Sequence, residues 1–236
     1  MGFVEINQNT YTLQDGNVRF YLLIGDREAL LVDSGMQISN AKELAMEITD
    51  KPIKLFNTHA DRDHIGSNHE FEEIMINPAE LVNYTGILST KKIIGIYDGD
   101  IIDIGNRPIK AIALPGHTPG STGLLDLGSG IFFSGDPIVK GDNLFLFGRM
   151  RNIVAYINSL EHLLSLNESI TSIYPCHGQY PLKMEIVPEL IESAKQIIQG
   201  HYNYELTEIF GQKVAKYNTG VCSFLCDIPS AEEKYV

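Results

Sequence analysis

The sequence predicts a layered α/β or α+β domain in which helices cover β-sheets. Three observations lead there. Short segments rich in branched and aromatic residues recur along the chain at strand-like lengths. Amphipathic helical patterns sit between some of them. The two kinds of segment alternate irregularly, with no internal repeat and no low-complexity tract or linker, so all 236 residues are expected to form one domain.

Taken in order, strands are expected at Val18–Ile24, Ala29–Val32, Ile53–Phe56, Ile101–Ile104, Ile109–Leu114, Gly123–Leu127, Ile131–Phe133 and Ser172–Tyr174, with a last one at Val221–Cys226 before a frayed acidic end. Asp15-Gly16-Asn17 and Gly25-Asp26-Arg27 carry hairpin-turn chemistry. A first helix is predicted after Ser39 as cap, with Ala41, Leu44, Ala45 and Ile48 on one face. A second follows Asn152 as cap, with Ile153, Ile157, Leu160 and Leu164 along one stripe. A third runs from Pro188, aligns Leu190, Ile191, Ala194, Ile197 and Ile198, and ends at Gly200.

Composition excludes several function classes. The net charge of −12 repels phosphate backbones and anionic lipid headgroups, so neither nucleic acid nor a membrane is an expected partner. No apolar run approaches the ~18–20 residues that span a bilayer. MGFVEINQNTYTLQDG lacks a basic start and an apolar core, so no signal peptide is expected, and the context of Gly2 does not suit myristoylation. The three cysteines, Cys176, Cys222 and Cys226, are an odd and sparse set, which points to free thiols in a reducing, cytoplasmic compartment. In a strand, Cys222 and Cys226 stand roughly 13 Å apart, beyond disulfide reach.

The chemistry collects in four segments of one design: an apolar strand, a tight turn, then a metal-type ligand. They read LFNTHADRDH (55–64), IALPGHTPGS (112–121), IFFSGD (131–136) and SIYPCHG (172–178). Strand ends of this kind put His59, Asp61, Asp63, His64, His117, Asp136 and His177 on one rim. Imidazole nitrogen and carboxylate oxygen are the donors that Zn²⁺ and similar ions take, and seven suffice for two ions. Alternation along an extended turn would make His59, Asp61 and Asp63 converge and send His64 elsewhere.

These segments resemble the metallo-β-lactamase superfamily, whose members carry H-x-H-x-D-H, a G-H-T-x-G-S loop, an S-G-D strand end and a late G-H-G or C-H-G. The likeness runs from about Leu31-Val32-Asp33-Ser34-Gly35 to Gly178. It implies an α/β fold of the αββα four-layer sandwich type, with two metal ions at one edge. Carried over by position, His59, Asp61 and His117 would hold the first ion, Asp63, His64 and His177 the second, and Asp136 would bridge them. Asp33 would brace the site through hydrogen bonds.

One departure stands out: Asp61 occupies the place where the pattern has histidine. With two divalent ions, three aspartates and a hydroxide, the cluster becomes neutral instead of carrying one positive charge. A neutral cluster acidifies bound water less and favours harder ions, so iron or manganese join zinc as expected metals. The alternative is that Asp61 only hydrogen-bonds nearby, leaving a weak or empty first site and a single-metal enzyme.

The resemblance implies a metal-dependent hydrolase acting on a small-molecule ester, thioester or lactone through a metal-bound hydroxide, with Asp63 as the catalytic proton acceptor. Glyoxalase II-like thioester hydrolysis is the nearest family activity, although its basic glutathione-binding tail has no counterpart here. The alternative resembles the flavodiiron oxygen reductases, which carry glutamate at the place of Asp61 and use two irons; their flavodoxin domain has no room in this chain. A metal-bearing domain that only binds a partner is a third reading. In VKGDNLFLFGRMRN (139–152), Phe145 and Phe147 can wall a pocket and Lys140, Arg149 or Arg151 can meet an anionic group; the competing reading is a core-covering loop with a basic edge. His69, His162 and His201 read as surface residues, Cys176 as a buried apolar one, Tyr202, Tyr204 and Tyr217 as packing, and Asp98, Asp100 and Asp103 as a solvated turn.

Overall fold

The computed structural model describes residues 2–84, 91–166 and 168–229. In chain order its elements are β1 (Val4–Asn7), β2 (Thr10–Asp15), β3 (Val18–Ile24), β4 (Ala29–Val32), α1 (Ala41–Met46), β5 (Ile53–Phe56), β6 (Glu73–Ile76), β7 (Lys92–Gly95), β8 (Ile101–Asp103), β9 (Pro108–Ala113), β10 (Thr122–Asp126), β11 (Ile131–Gly135), β12 (Asn143–Leu146), α2 (Ile153–Ser165), β13 (Ser172–Pro175), α3 (Ile186–Ile198), β14 (Glu205–Ile209), β15 (Gln212–Asn218) and β16 (Ser223–Cys226). A seven-stranded sheet runs β1 through β7 in sequence order, a five-stranded sheet runs β13-β11-β10-β9-β8, and a four-stranded sheet runs β12-β16-β15-β14.

Side-chain alternation builds the layers. Tyr21 and Leu23 of β3 face Phe133 of β11, Ala111 of β9 and Leu124 of β10, which closes the two larger sheets onto each other. The neighbours Phe20 and Leu22 point the other way, onto Ala41 and Ala45 of α1. On the five-stranded sheet, Ile112, Leu125 and Phe132 turn outward onto Leu160 and Leu163 of α2 and Leu190 and Ala194 of α3. The result is the expected αββα sandwich. Each large side chain fully buried in it, such as Tyr21, Phe56 or Phe133, contributes about 1.5–3 kcal/mol through removal from water. The four-stranded sheet adds to the expected layers: Ala215, Tyr217 and Phe224 pack onto the same helical layer.

Several expectations shift in detail. α1 begins after Asn40, not Ser39, and Asn40 makes no side-chain cap. Ser67 Oγ receives the Ala41 amide at 3.2 Å and Glu70 Oε2 receives the Lys42 amide at 2.8 Å. These distant side chains replace a local cap, and sequence position alone does not reveal them. Asn152 does cap α2, accepting from the Ala155 amide at 2.8 Å. α3 starts at Ile186, two residues before Pro188, because proline is tolerated within a first turn. β16 begins at Ser223 instead of Val221, and the acidic end expected after it lies, from 230 on, outside the described residues. Among the described residues no helix is long and apolar enough to cross a membrane.

Candidate metal centre

Four loops meet at one edge between the two larger sheets. The first follows β5, whose parallel pairing with β4 sets Asn57–His64 beside Asp33. The Asp33 backbone is held in the left-handed region at φ +64°, and its carboxylate is fully engaged. Oδ1 accepts the Thr58 amide at 2.8 Å; Oδ2 accepts the Thr58 hydroxyl at 2.8 Å and pairs with His64 Nδ1 at 2.8 Å. Asp33 thus makes hydrogen bonds of the kind implied for it, and its bond to Nδ1 leaves His64 Nε2 facing the centre. Behind this loop, Asn57, Asn68, Ser34 and Tyr84 form a buried polar network.

His117 follows β9 on a turn that needs Gly116, whose φ is +136° and where an added Cβ would lie 2.4 Å from the Tyr156 backbone. His117 Nδ1 and the Phe145 carbonyl of β12 are 2.8 Å apart, so the imidazole donates there and turns Nε2 inward. Asp136 closes β11. His177 follows β13, and its Nδ1 lies 2.9 Å from the Asn17 carbonyl in the β2–β3 turn. Arg19 secures the same loop, donating from Nη2 to the Gly178 carbonyl at 2.8 Å.

The structure brings all seven expected side chains together, in two groups. His59, Asp61 and His117 form one; Asp63, His64, Asp136 and His177 form the other. Asp63 therefore leaves the alternation that would align it with His59 and Asp61. The amide of His64 bonds the Asp61 carbonyl at 3.0 Å, a turn that swings Asp63 to the far side. Asp63 Oδ2 lies 3.1 Å from His177 Nε2. Asp136 stands between the groups: Oδ1 is 3.3 Å from His64 Nε2, and Oδ2 is 3.6 Å from His117 Nε2.

Arg151 joins the first group from the turn before α2. Its Nη2 donates to both Asp61 oxygens, at 2.9 and 2.7 Å, while Nη1 lies 3.0 and 3.2 Å from the two His117 nitrogens. Of the three basic residues singled out for an anionic group, Arg151 thus contacts a carboxylate of the chain itself. Its place is rigid, because the Asn152 amide bonds the Gly116 carbonyl at 2.9 Å. Glu80, fully buried, joins two loops: Oε2 accepts the Ala60 amide at 3.0 Å and Oε1 the Gly120 amide at 2.6 Å. No local pattern in the sequence marks Glu80 for this role.

Electrostatics follow from the packing. Burial opposes ionisation of Asp61, Asp63 and Asp136, yet the surrounding imidazoles hold all three well below the usual carboxylate range. His64 is pushed the other way: burial opposes its charge, but Asp136, Asp33 and Asp63 raise it well above the ordinary histidine value. Asp136 and Asp63 likewise raise His177 against burial. His117 is lowered, by burial first and then by the charge of Arg151. Cys176 lies behind the site with Sγ 3.5 Å from Asp33 Oδ2; burial pushes its thiol up to about 12.

The donor set fits a divalent cation. Among the described residues, His64 Nε2 and Asp136 Oδ1 are buried at the centre 3.3 Å apart, without hydrogen-bond geometry to each other or to any other group, an arrangement that costs stability unless something bonds both. The other histidines, His69, His162 and His201, lie apart from this centre; His162 faces Asp98 at 3.3 Å on the surface.

Comparison with known proteins agrees with this geometry. The family model for the metallo-beta-lactamase superfamily matches residues 13–201. The chain is 23% identical over 217 residues to acyl-coenzyme A thioesterase MBLAC2 of Gallus gallus, covering 75% of this chain and 77% of that one. Among solved structures, a metallo-beta-lactamase from Pontibacter korlensis superposes with a TM-score of 0.69 at 14% identity, over 82% of this chain and 98% of the other. Rubredoxin oxygen:oxidoreductase from Desulfovibrio gigas superposes with a TM-score of 0.63 at 14% identity, over 82% of this chain and 62% of that one.

Proposed function

Since the chain belongs to the metallo-beta-lactamase superfamily, we propose that it is a metal-dependent hydrolase of a small-molecule ester, thioester or lactone. The observation that carries this is the convergence of seven potential ligands in two groups, with His64 Nε2 and Asp136 Oδ1 buried 3.3 Å apart at their centre and bonded to no other side chain. In this reading His59, Asp61 and His117 face one metal place, Asp63, His64 and His177 the other, and Asp136 both. Zinc is the expected ion, with iron or manganese as alternatives. A bound divalent ion supplies acidified water and polarises the substrate carbonyl.

The chain's own residues do the rest. Asp63, held ionised beside His177, would orient the attacking water through Oδ2, accept its proton as the new C–O bond forms, and pass that proton to the departing alcohol or thiol. Asp33 and the Phe145 carbonyl keep His64 and His117 in the tautomers that turn Nε2 inward. Phe145, whose carbonyl meets His117, also carries a ring packed partly against Phe147, Val214 and Leu225. Its ring stacks on Phe210 at 6.2 Å between centroids, and Phe210 is 93% exposed. That surface suits an apolar acyl or aromatic portion of a substrate. The likeness to an acyl-coenzyme A thioesterase favours the thioester. The net charge of −12 argues against nucleic acid and membrane surfaces as partners, and three buried free thiols suit a cytoplasmic setting.

A panel of acyl thioesters, esters, lactones and phosphodiesters, assayed with zinc-loaded protein, tests the reading. Turnover abolished by a chelator and restored by zinc is the expected result; no turnover across the panel with metal bound removes it. Three carboxylates around the centre favour a second reading, redox or oxygen chemistry on iron. Iron with visible absorbance in protein purified without added metal supports it; colourless zinc protein counts against it.

A further inference from the structure

The two groups of ligands are not alike in what they still lack. In the second, the carboxylates face only imidazoles, Asp136 Oδ1 at 3.3 Å from His64 Nε2 and Asp63 Oδ2 at 3.1 Å from His177 Nε2, and among the described residues neither pairs with an arginine or lysine. In the first, a cation of the chain itself already stands against the carboxylate. Both Asp61 oxygens accept from Arg151 Nη2, while His59 Nε2 and His117 Nε2, each presenting a lone pair because Nδ1 donates to Thr58 Oγ1 and to the Phe145 carbonyl, lie 3.2 Å apart. Arg151 Nη1 lies 3.2 Å from His117 Nε2, so the guanidinium stands against two of the atoms an ion there would need. Charge points the same way. Asp61 is neutralised by Arg151, whereas Asp63 and Asp136 together carry the two negative charges that match one divalent ion. A second ion beside a retained guanidinium would meet its charge in a largely buried site, where like charges repel strongly.

We propose that Arg151 takes the cation's part in the first place, so that the chain binds one divalent ion on Asp63, His64, Asp136 and His177, and a second enters only after Arg151 releases Asp61. This rests on the reading of the centre as metal-binding. Arginine suits this role because it stays protonated, its planar fork engages a carboxylate with two bonds, and the anchored turn before α2 aims it.

Zinc titration followed by native mass spectrometry tests the stoichiometry directly. The wild-type chain saturates at one zinc per chain, while Arg151→Gln takes two, the second at least tenfold tighter than in wild type. Arg151→Lys, which keeps the charge, stays at one. His177→Ala in the wild-type background loses the remaining tight zinc. Wild-type protein that takes two zinc ions as readily as Arg151→Gln overturns the proposal and leaves the metal reading intact; Arg151→Lys behaving like Arg151→Gln also overturns it. No zinc on any form overturns both. A measurement independent of the folding of the variants is anomalous diffraction from zinc-soaked wild-type crystals. One peak among Asp63, His64, Asp136 and His177, with Arg151 still on Asp61, is expected, and two peaks of equal height overturn the proposal.

Discussion

Glu80 and Gly120 are joined by a 2.6 Å hydrogen bond in which a fully buried carboxylate accepts a backbone amide, and the same carboxylate holds the Ala60 amide through its other oxygen. The loops bearing His59 and His117 are thereby clamped to one side chain. Removing a buried acceptor from two amides costs the desolvation of each, so Glu80→Ala is expected to lower unfolding stability by about 2–4 kcal/mol. Glu80→Gln, which has one carbonyl oxygen, loses about half as much. Urea denaturation measures both; unchanged midpoints would show that the clamp adds nothing to stability.

Asp33→Asn changes the partner of His64 Nδ1 from a carboxylate to an amide. Substitutions behind a metal-bound histidine typically weaken metal affinity by about 10–100-fold. Competition with a chromophoric chelator reads this directly, and wild-type affinity in the variant would discount Asp33 as the brace.

Metal removal and pH act together. In the metal-free chain, the depressed Asp61, Asp63 and Asp136 stabilise the fold above about pH 4, and that contribution is lost as pH falls towards their lowered values. His64 and His177, with raised values, contribute fully below about pH 6.5 and lose that contribution as pH rises through their folded-state values. His117, with a lowered value, works in the opposite direction, but two raised histidines stand against one, so chelator-treated protein is expected to melt at a higher temperature at pH 5.5 than at pH 8.5. Zinc-loaded protein reverses the order, because protons compete with the ion for imidazole. Thermal scans at the two pH values, with and without zinc, check this; the same order in both forms would contradict it.

The thiols supply a separate check. Cys176, Cys222 and Cys226 are buried, and burial raises each to about 12. Protonated and covered, they are expected to resist an aromatic disulfide reagent at pH 8 in the native chain and to release three equivalents in denaturant. Prompt native labelling of Cys176 would mean that the wall behind Asp33 opens.

Legibility in the sequence follows the range of the forces involved. β3, β4 and β5 match their expected bounds because each is a short run dominated by branched and aromatic residues, and β3 and β4 are buried along their whole length. β14 has no such signal, because ELTEI mixes exposed and half-buried residues at a sheet edge. The seven side chains that could hold a metal are readable because each belongs to a motif at a strand end. Arg151 reads in the sequence only as an anion contact, since its partner Asp61 is 90 positions away. Glu80 carries no signal at all, because nothing near it in the chain records that two amides will arrive there from other loops.

The contact between His117 and β12 carries a consequence for how this protein can change. The atom that receives the His117 proton is the carbonyl oxygen of Phe145, and every amino acid has one. The phenyl ring can therefore be exchanged for another side chain while the imidazole keeps its orientation. Under the proposed function, the ring at position 145 can vary with the substrate while the backbone of the same residue keeps His117 aimed at the centre.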